Sequence, residues 1–278
     1  MSPAKLPPAL TAPKTRALAL CGTLVGVLLA VGAFAPLPYT LTQPGLTVDT
    51  LGSYSPPGSG EPPRPVITIT GAPVRTTSGQ LRMVTIQATN PGQTLTLWRA
   101  LDAWWNQEEA VLPSEAVYPE EDPQDAHQES ERQMTESQDS ATLAALNYLH
   151  LSPEQVKVSI YLGDIGGPSA GQMLALGIID KLDGDGKGGD LTGGKVIAGT
   201  GTVDAQGRIG PVGGVPLKTQ AAARDGATVF LVPRDECGEA RVNTPEGLRL
   251  IPVTTVEDAV ASLNALNSGG NVPSCASS

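Results

Sequence analysis

Gly166-Gly167-Pro168-Ser169-Ala170-Gly171 is the stretch on which the reading of this chain turns. Before it, Val156, Val158, Ile160 and Leu162 fall on alternate positions, the period of a half-buried strand. After it, Met173, Leu174, Leu176, Ile178, Ile179 and Leu182 recur at helical spacing. Pro168 falls where a first helical residue tolerates it. A serine hydroxyl is thus set at the mouth of a helix, after a strand and behind flexible glycines. Backbone N–H groups at such a mouth lack partners within the helix, and the helix dipole favours negative charge there. That suits a nucleophile whose reaction builds an oxyanion, with Gly167, Pro168 and Ser169 as the backbone around it.

The letters Gly167 to Gly171 also fit G-x-S-x-G, the nucleophile elbow of α/β-hydrolases, which requires a histidine later in the chain. The two histidines, His127 and His150, both precede Ser169. A lysine is the remaining common base, and it serves only when desolvation lowers its pKa toward neutrality. Lys218 fits: it lies in Gly213-Gly214-Val215-Pro216-Leu217-Lys218, a turn running into an Ala-rich helix with no other charge before Arg224. Lys195, in Gly193-Gly194-Lys195-Val196-Ile197, is the rival. Taken singly, Ser169 reads as a helix cap and Lys218 as a surface lysine.

Ser169 in Pro-Ser-Ala-Gly is followed in order by Ala198-Gly199-Thr200-Gly201-Thr202-Val203, Gly207-Arg208-Ile209-Gly210-Pro211-Val212-Gly213-Gly214, and then Lys218. This series resembles the proteolytic domain of Lon-type proteases, over about residues 156–265. The resemblance implies Ser169 as nucleophile, Lys218 as general base and Thr200 as the neighbour that orients the lysine. Val229-Phe230-Leu231-Val232-Pro233 matches the family's strand ending in proline. Lon members often carry an acidic residue three before the serine; here that position is Gly166, and Asp164 is out of register.

The apolar N-terminal run, Gly45-Leu46-Thr47-Val48-Asp49-Thr50-Leu51-Gly52 and the helix containing Gln138 resemble membrane-anchored, secreted relatives of Lon, which usually carry a PDZ peptide-binding module before the catalytic strand. The short run from Tyr148 to Val156 leaves no room for one, so the module is expected to be missing. Lon-like domains tend to form rings of six, which makes a homo-oligomer the expected assembly.

The chain has 278 residues and a net charge of −10, which argues against nucleic acid as a partner. Aromatics make up 4% against 32 glycines and 25 prolines, the balance of a loop-rich protein of helices and strands. Lys5, Lys14 and Arg16 precede an uncharged run from Ala17 to Tyr39, long enough to cross a bilayer. The basic flank predicts a single pass through the cell membrane, N-terminus cytoplasmic and the remainder extracytoplasmic. A cleaved signal peptide is the competitor, but Pro36 after Ala33-Phe34-Ala35 disfavours cutting. In an oxidising compartment Cys237 and Cys275 can form a bridge that pins the tail.

Six segments follow. Residues 1–16 are the basic N-terminus, 17–39 the transmembrane anchor, and 40–65 a Pro/Gly/Ser-rich linker. Residues 66–152 are an N-terminal extracytoplasmic region, 153–267 the Lon-like domain and 268–278 a tail. Within 66–152, Leu97, Leu101, Trp104 and Trp105 share one side of a helix and are expected to pack into the core. Residues 106–139 are strongly acidic and expected to be mainly solvated and partly disordered, with a helix from Met134 to Leu149. Asp183-Gly184-Asp185-Gly186-Lys187 resembles a calcium loop, but lacks its terminal glutamate and reads as a mobile turn. Gly189 to Val196 nearly fits a phosphate-binding loop, but Val196 stands where magnesium needs a hydroxyl. Neither metal, cofactor nor ATP is therefore expected. Thr254-x-x-Glu257 reads as a capping box for the last helix.

The fold class is α+β: a Lon-protease-like catalytic domain, a transmembrane helix and a smaller α/β N-terminal region. The expected function is ATP-independent Ser-Lys endopeptidase action on unfolded or flexible proteins. The alternative is a non-catalytic envelope scaffold that keeps the fold and binds a partner.

Overall fold

The computed structural model describes residues 13–90, 93–106, 108–118 and 122–275. Lys5, Glu120 and Glu121 lie outside them, as does the end of the tail. Helix α1 (Pro13–Phe34) carries Lys14 and Arg16 near its start and is uncharged and largely apolar from Ala17 onward, with its large apolar side chains exposed. It is long and apolar enough to cross a membrane, a test that a signal sequence also passes. Strand β1 (Tyr39–Asp49) follows almost at once. The hairpin β2 (Ser53–Tyr54) and β3 (Arg64–Pro65) leads to β4 (Ile67–Thr70) and β5 (Gln80–Ala88). Then come α2 (Leu97–Trp105), β6 (Ala110–Pro113), the single turn α3 (Ser114–Val117) and the long α4 (Pro123–Tyr148).

Strand β7 (Lys157–Ile160) pairs antiparallel with β4. A 3₁₀ turn over Pro168–Ala170 opens α5 (Gly171–Leu182). Strand β8 (Val196–Gly199), the ribbon of β9 (Thr202–Val203) with β10 (Ile209–Gly210), and α6 (Val215–Arg224) come next. The chain closes with β11 (Val229–Pro233), α7 (Cys237–Ala240), β12 (Arg249–Val253) and α8 (Val256–Asn267).

One mixed sheet organises these parts, in the order β12-β11-β8-β5-β1-β6. Strands β12, β11, β8 and β5 run parallel, while β1 and β6 add antiparallel. Every residue of β11 is buried, as expected of a parallel strand covered on both faces. Its side chains alternate: Val229 and Leu231 join the α4, α5 and α8 layer, Phe230 and Val232 the α6 and α7 layer. The α4–α5–α8 core includes Met173, Leu174, Ile178 and Ile179, all fully buried.

Five expectations are corrected here. Residues 40–65 do not begin as a linker, because Tyr39–Asp49 is an inner strand with Leu41 and Val48 buried. Pro44 and Gly45 fall at an irregularity in its register, which hides the alternation. A boundary at residue 153 cuts through one sheet, since Gln80–Met83 of β5 pairs directly with Val196–Gly199 of β8.

The acidic segment is largely ordered, and its helix begins at Pro123 rather than Met134. Asp122 caps it by accepting the Gln124 N–H at 2.8 Å, and Pro123 and Asp125 suit a first turn. Arg132 then bridges Glu129 and Glu136 one turn to either side. The fourth correction concerns α2: Trp98, Trp104 and Trp105 are 62%, 84% and 86% exposed, and only Ala103 of that helix is buried.

The last helix is capped one residue later than the box predicts. Thr255 accepts the Asp258 N–H at 3.0 Å.

Candidate active site

Ser169 lies in the 3₁₀ turn between β7 and α5, half-buried. Gly167 just before it has φ +88, which favours glycine. Gly166 is explained by packing: a Cβ there would collide with Ser130 Oγ of the crossing helix α4. An acidic side chain three before the serine would therefore require Ser130 to turn its hydroxyl away and α4 to give slightly. α4 also grips the turn from outside. Ser130 O accepts the Gly167 N–H at 3.0 Å, and Ser137 Oγ donates to Pro168 O at 3.0 Å.

These bonds bear on the oxyanion segment. Gly167 has committed its N–H to Ser130 and Pro168 has none, so of the three residues only Ser169 has an N–H to offer a developing oxyanion. On the inner side, Gly201 N–H and Thr200 Oγ1 both donate to Ser169 O, at 3.1 and 3.3 Å.

Lys218 projects from the first turns of α6 and is 2% exposed. Its Nζ donates to Thr200 Oγ1 at 3.0 Å. Thr200, fully buried at the end of β8, thus links the amine to the carbonyl of Ser169. Burial pushes the Lys218 pKa down to about 8, against the smaller upward pull of Glu236 and Glu239. Glu236 is a site residue that no motif in the sequence singles out. Its Oε1 accepts the Val212 N–H at 2.7 Å, its Oε2 is buried without a hydrogen-bond partner among the described residues, and burial raises its pKa. It sits just after Pro233, where only tertiary proximity reveals it.

Ser169, Lys218, Gly167 and Pro168 line one groove of about 470 Å³, with Ile86 and Ala88 of β5, Ser130 of α4 and Val212–Gly214. The other candidates lie elsewhere. Lys195 Nζ donates to Asn267 Oδ1 at 3.0 Å, at the end of α8. His127 faces Glu131 on the exposed side of α4, and His150 sits at an exposed turn with φ 55. Asp185 accepts the N–H groups of Lys187 and Gly189 within the calcium-like loop, while Asp190 accepts from Arg75 and Ser78 in the connection between β4 and β5. Among the described residues no cluster of three acidic, His or Cys side chains is poised to hold a metal. Cys237 and Cys275 are joined by a disulfide, their Cα atoms 5.3 Å apart.

Residues 140–265 match the family model of the Lon protease (S16) C-terminal proteolytic domain. This segment is similar to the proteolytic domain of Lon-type serine peptidases. Lon protease of Azospirillum brasilense is 36% identical over 97 residues, and that of Rhizobium meliloti (strain 1021) 31% over 98. Each alignment covers 34% of this chain and 11% of the relative, so the chain corresponds to about a tenth of those proteins.

Proposed function

We propose that this protein is a membrane-anchored, ATP-independent serine endopeptidase that cuts unfolded or flexible proteins outside the cytoplasm. The observation that carries the reading is the dry amine: Lys218 is buried, lowered to about 8, and opens on the same groove as Ser169. In its neutral form it accepts the Ser169 proton as Oγ attacks the peptide carbonyl, then returns that proton to the leaving amine. Thr200 holds the amine's direction, and the Ser169 N–H faces the oxyanion. Water then hydrolyses the acyl-enzyme, with Lys218 again as base.

The groove favours an extended substrate. β8 pairs with β5 only as far as Met83, while Thr85, Ile86 and Ala88 continue along the groove wall. An unfolded peptide can run beside that wall as an added strand. The apolar α1 after a basic flank supports a single-pass anchor with the catalytic part outside. The Cys237–Cys275 bridge agrees with an oxidising compartment. A homo-oligomer is part of the same proposal.

The test is cleavage of an unfolded casein-like protein by full-length wild type, Ser169→Ala and Lys218→Ala in detergent. Wild type is expected to cut and both variants to fail. Equal activity in all three would falsify the proposal.

A further inference from the structure

We infer that α2 is a second membrane contact: a tryptophan-bearing helix that lies in the lipid–water interface beside the exit of α1. The inference rests on the anchor proposed above. Leu97, Trp98, Leu101, Trp104 and Trp105 fall within one helical arc, and their exposures run from 38% to 86%. The buried Ala103 lies on the opposite side, against Leu41 and Leu95. The helix is thus seated on the domain by its small residue and turns its large apolar ones outward. An arrangement of that kind leaves them in water unless something covers them.

The position of the helix says what covers it. α1 ends at Phe34, and the Leu37 N–H donates to Leu95 O at 2.8 Å, two residues before α2 begins. α2 also packs against α1. The outward face of α2 is therefore held at the level where an apolar helix would leave a bilayer. Tryptophan prefers that level, its ring amphipathic and its N–H turned to the headgroups. Between α2 and the chain leaving α1 lies a largely apolar recess of about 500 Å³, lined by Leu37, Tyr39, Leu97, Leu101, Trp104 and Val111 among others, with Glu109 the one charged residue of its wall.

Charge narrows the lipid class. The only cation of α2, Arg99, is bonded to Asp102 and Glu109. Docking therefore rests on apolar and aromatic burial, and a zwitterionic bilayer suffices.

The chain has three tryptophans, all in α2, so its intrinsic emission reports on this helix alone. The experiment places the full-length protein in phosphatidylcholine vesicles with either plain or brominated acyl chains. Expected is vesicle flotation, emission blue-shifted from its value in water, and at least about twofold quenching by the brominated lipid, unchanged by added anionic lipid or salt. If the protein floats but its emission stays water-like and open to aqueous quenchers, the inference is overturned while the anchor stands. If the emission is shielded from aqueous quenchers yet untouched by bromine, a second copy or another protein covers the face, and the inference is again overturned. Failure to float overturns the anchor itself, and this inference with it.

Discussion

Two lysines in this chain follow Gly-Gly pairs, and the fold treats them in opposite ways. Lys195 comes directly after its pair, at the entry to β8, and reaches across the surface to Asn267. Lys218 comes one helical turn after its pair, because Gly214 caps α6 in a left-handed conformation and the helix then carries the side chain inward. There it meets the buried Thr200 and loses water. The two stretches are alike in composition. What separates an ordinary cation from a candidate base is the helix that follows the glycines and the sheet end it points at.

The comparison breaks most completely if the sheet is cut. A fragment beginning at Pro153 lacks β1 and β5, leaving β8 an unpaired, apolar edge. It should fail to give a cooperative unfolding transition, checked by circular dichroism, whereas a chain beginning before Tyr39 should give one. Within the intact chain, Ser169→Ala or Lys218→Ala should each lower turnover on the order of 10³-fold or more, because such groups act as a unit. Lys195→Ala should leave turnover as it is.

Stability sharpens the contrast in the other direction. The folded value of Lys218, about 8, lies below the 10.5 of a free lysine, so between them the unfolded chain binds more protons. Stability therefore rises with pH through that window, and the burial penalty is fully present below it. Lys218→Met should remove a penalty on the order of 3 kcal/mol at neutral pH, raising the melting temperature while abolishing activity. Gly166→Asp tests the α4 crossing. It should cost roughly 1–3 kcal/mol by overpacking against Ser130, measured by denaturant titration.

The smallest effect is on the pH–rate profile. Activity should rise with an apparent pKa near that of Lys218, about 8, as the amine loses its proton. Glu236 pulls that value upward, so Glu236→Gln should move the limb to lower pH by roughly 0.5 to 1 unit. A limb that stays in place would show that Glu236 serves only to hold the Val212 loop.

Much of the candidate site was legible because its parts are local motifs in fixed order. Ser169, Thr200 and Lys218 each sit in a short glycine-marked segment. Glu236 and Ser130 were not legible: each reaches the site from an element distant in sequence, and nothing in Arg234-Asp235-Glu236 or in the acidic helix marks it. Helix and strand types were mostly readable where the apolar period ran unbroken, as in α5 and β11. They were missed where it was interrupted, by Pro44-Gly45 in β1, or where charge outweighed it, as in the first turns of α4. The amphipathic pattern of α2 was visible, but a pattern says that one face is apolar and not what that face meets. The expected burial of its tryptophans failed for that reason.

The few residues between Phe34 and Tyr39 carry a mechanical consequence. Where the anchor is a membrane helix, the catalytic body has no leash: β1 starts almost at the bilayer and is locked into the sheet by partners on both sides. The groove then stands at a set height and heading, and a target must bring its loose segment to that spot. Which chains are cut becomes a question of reach as much as of side-chain preference.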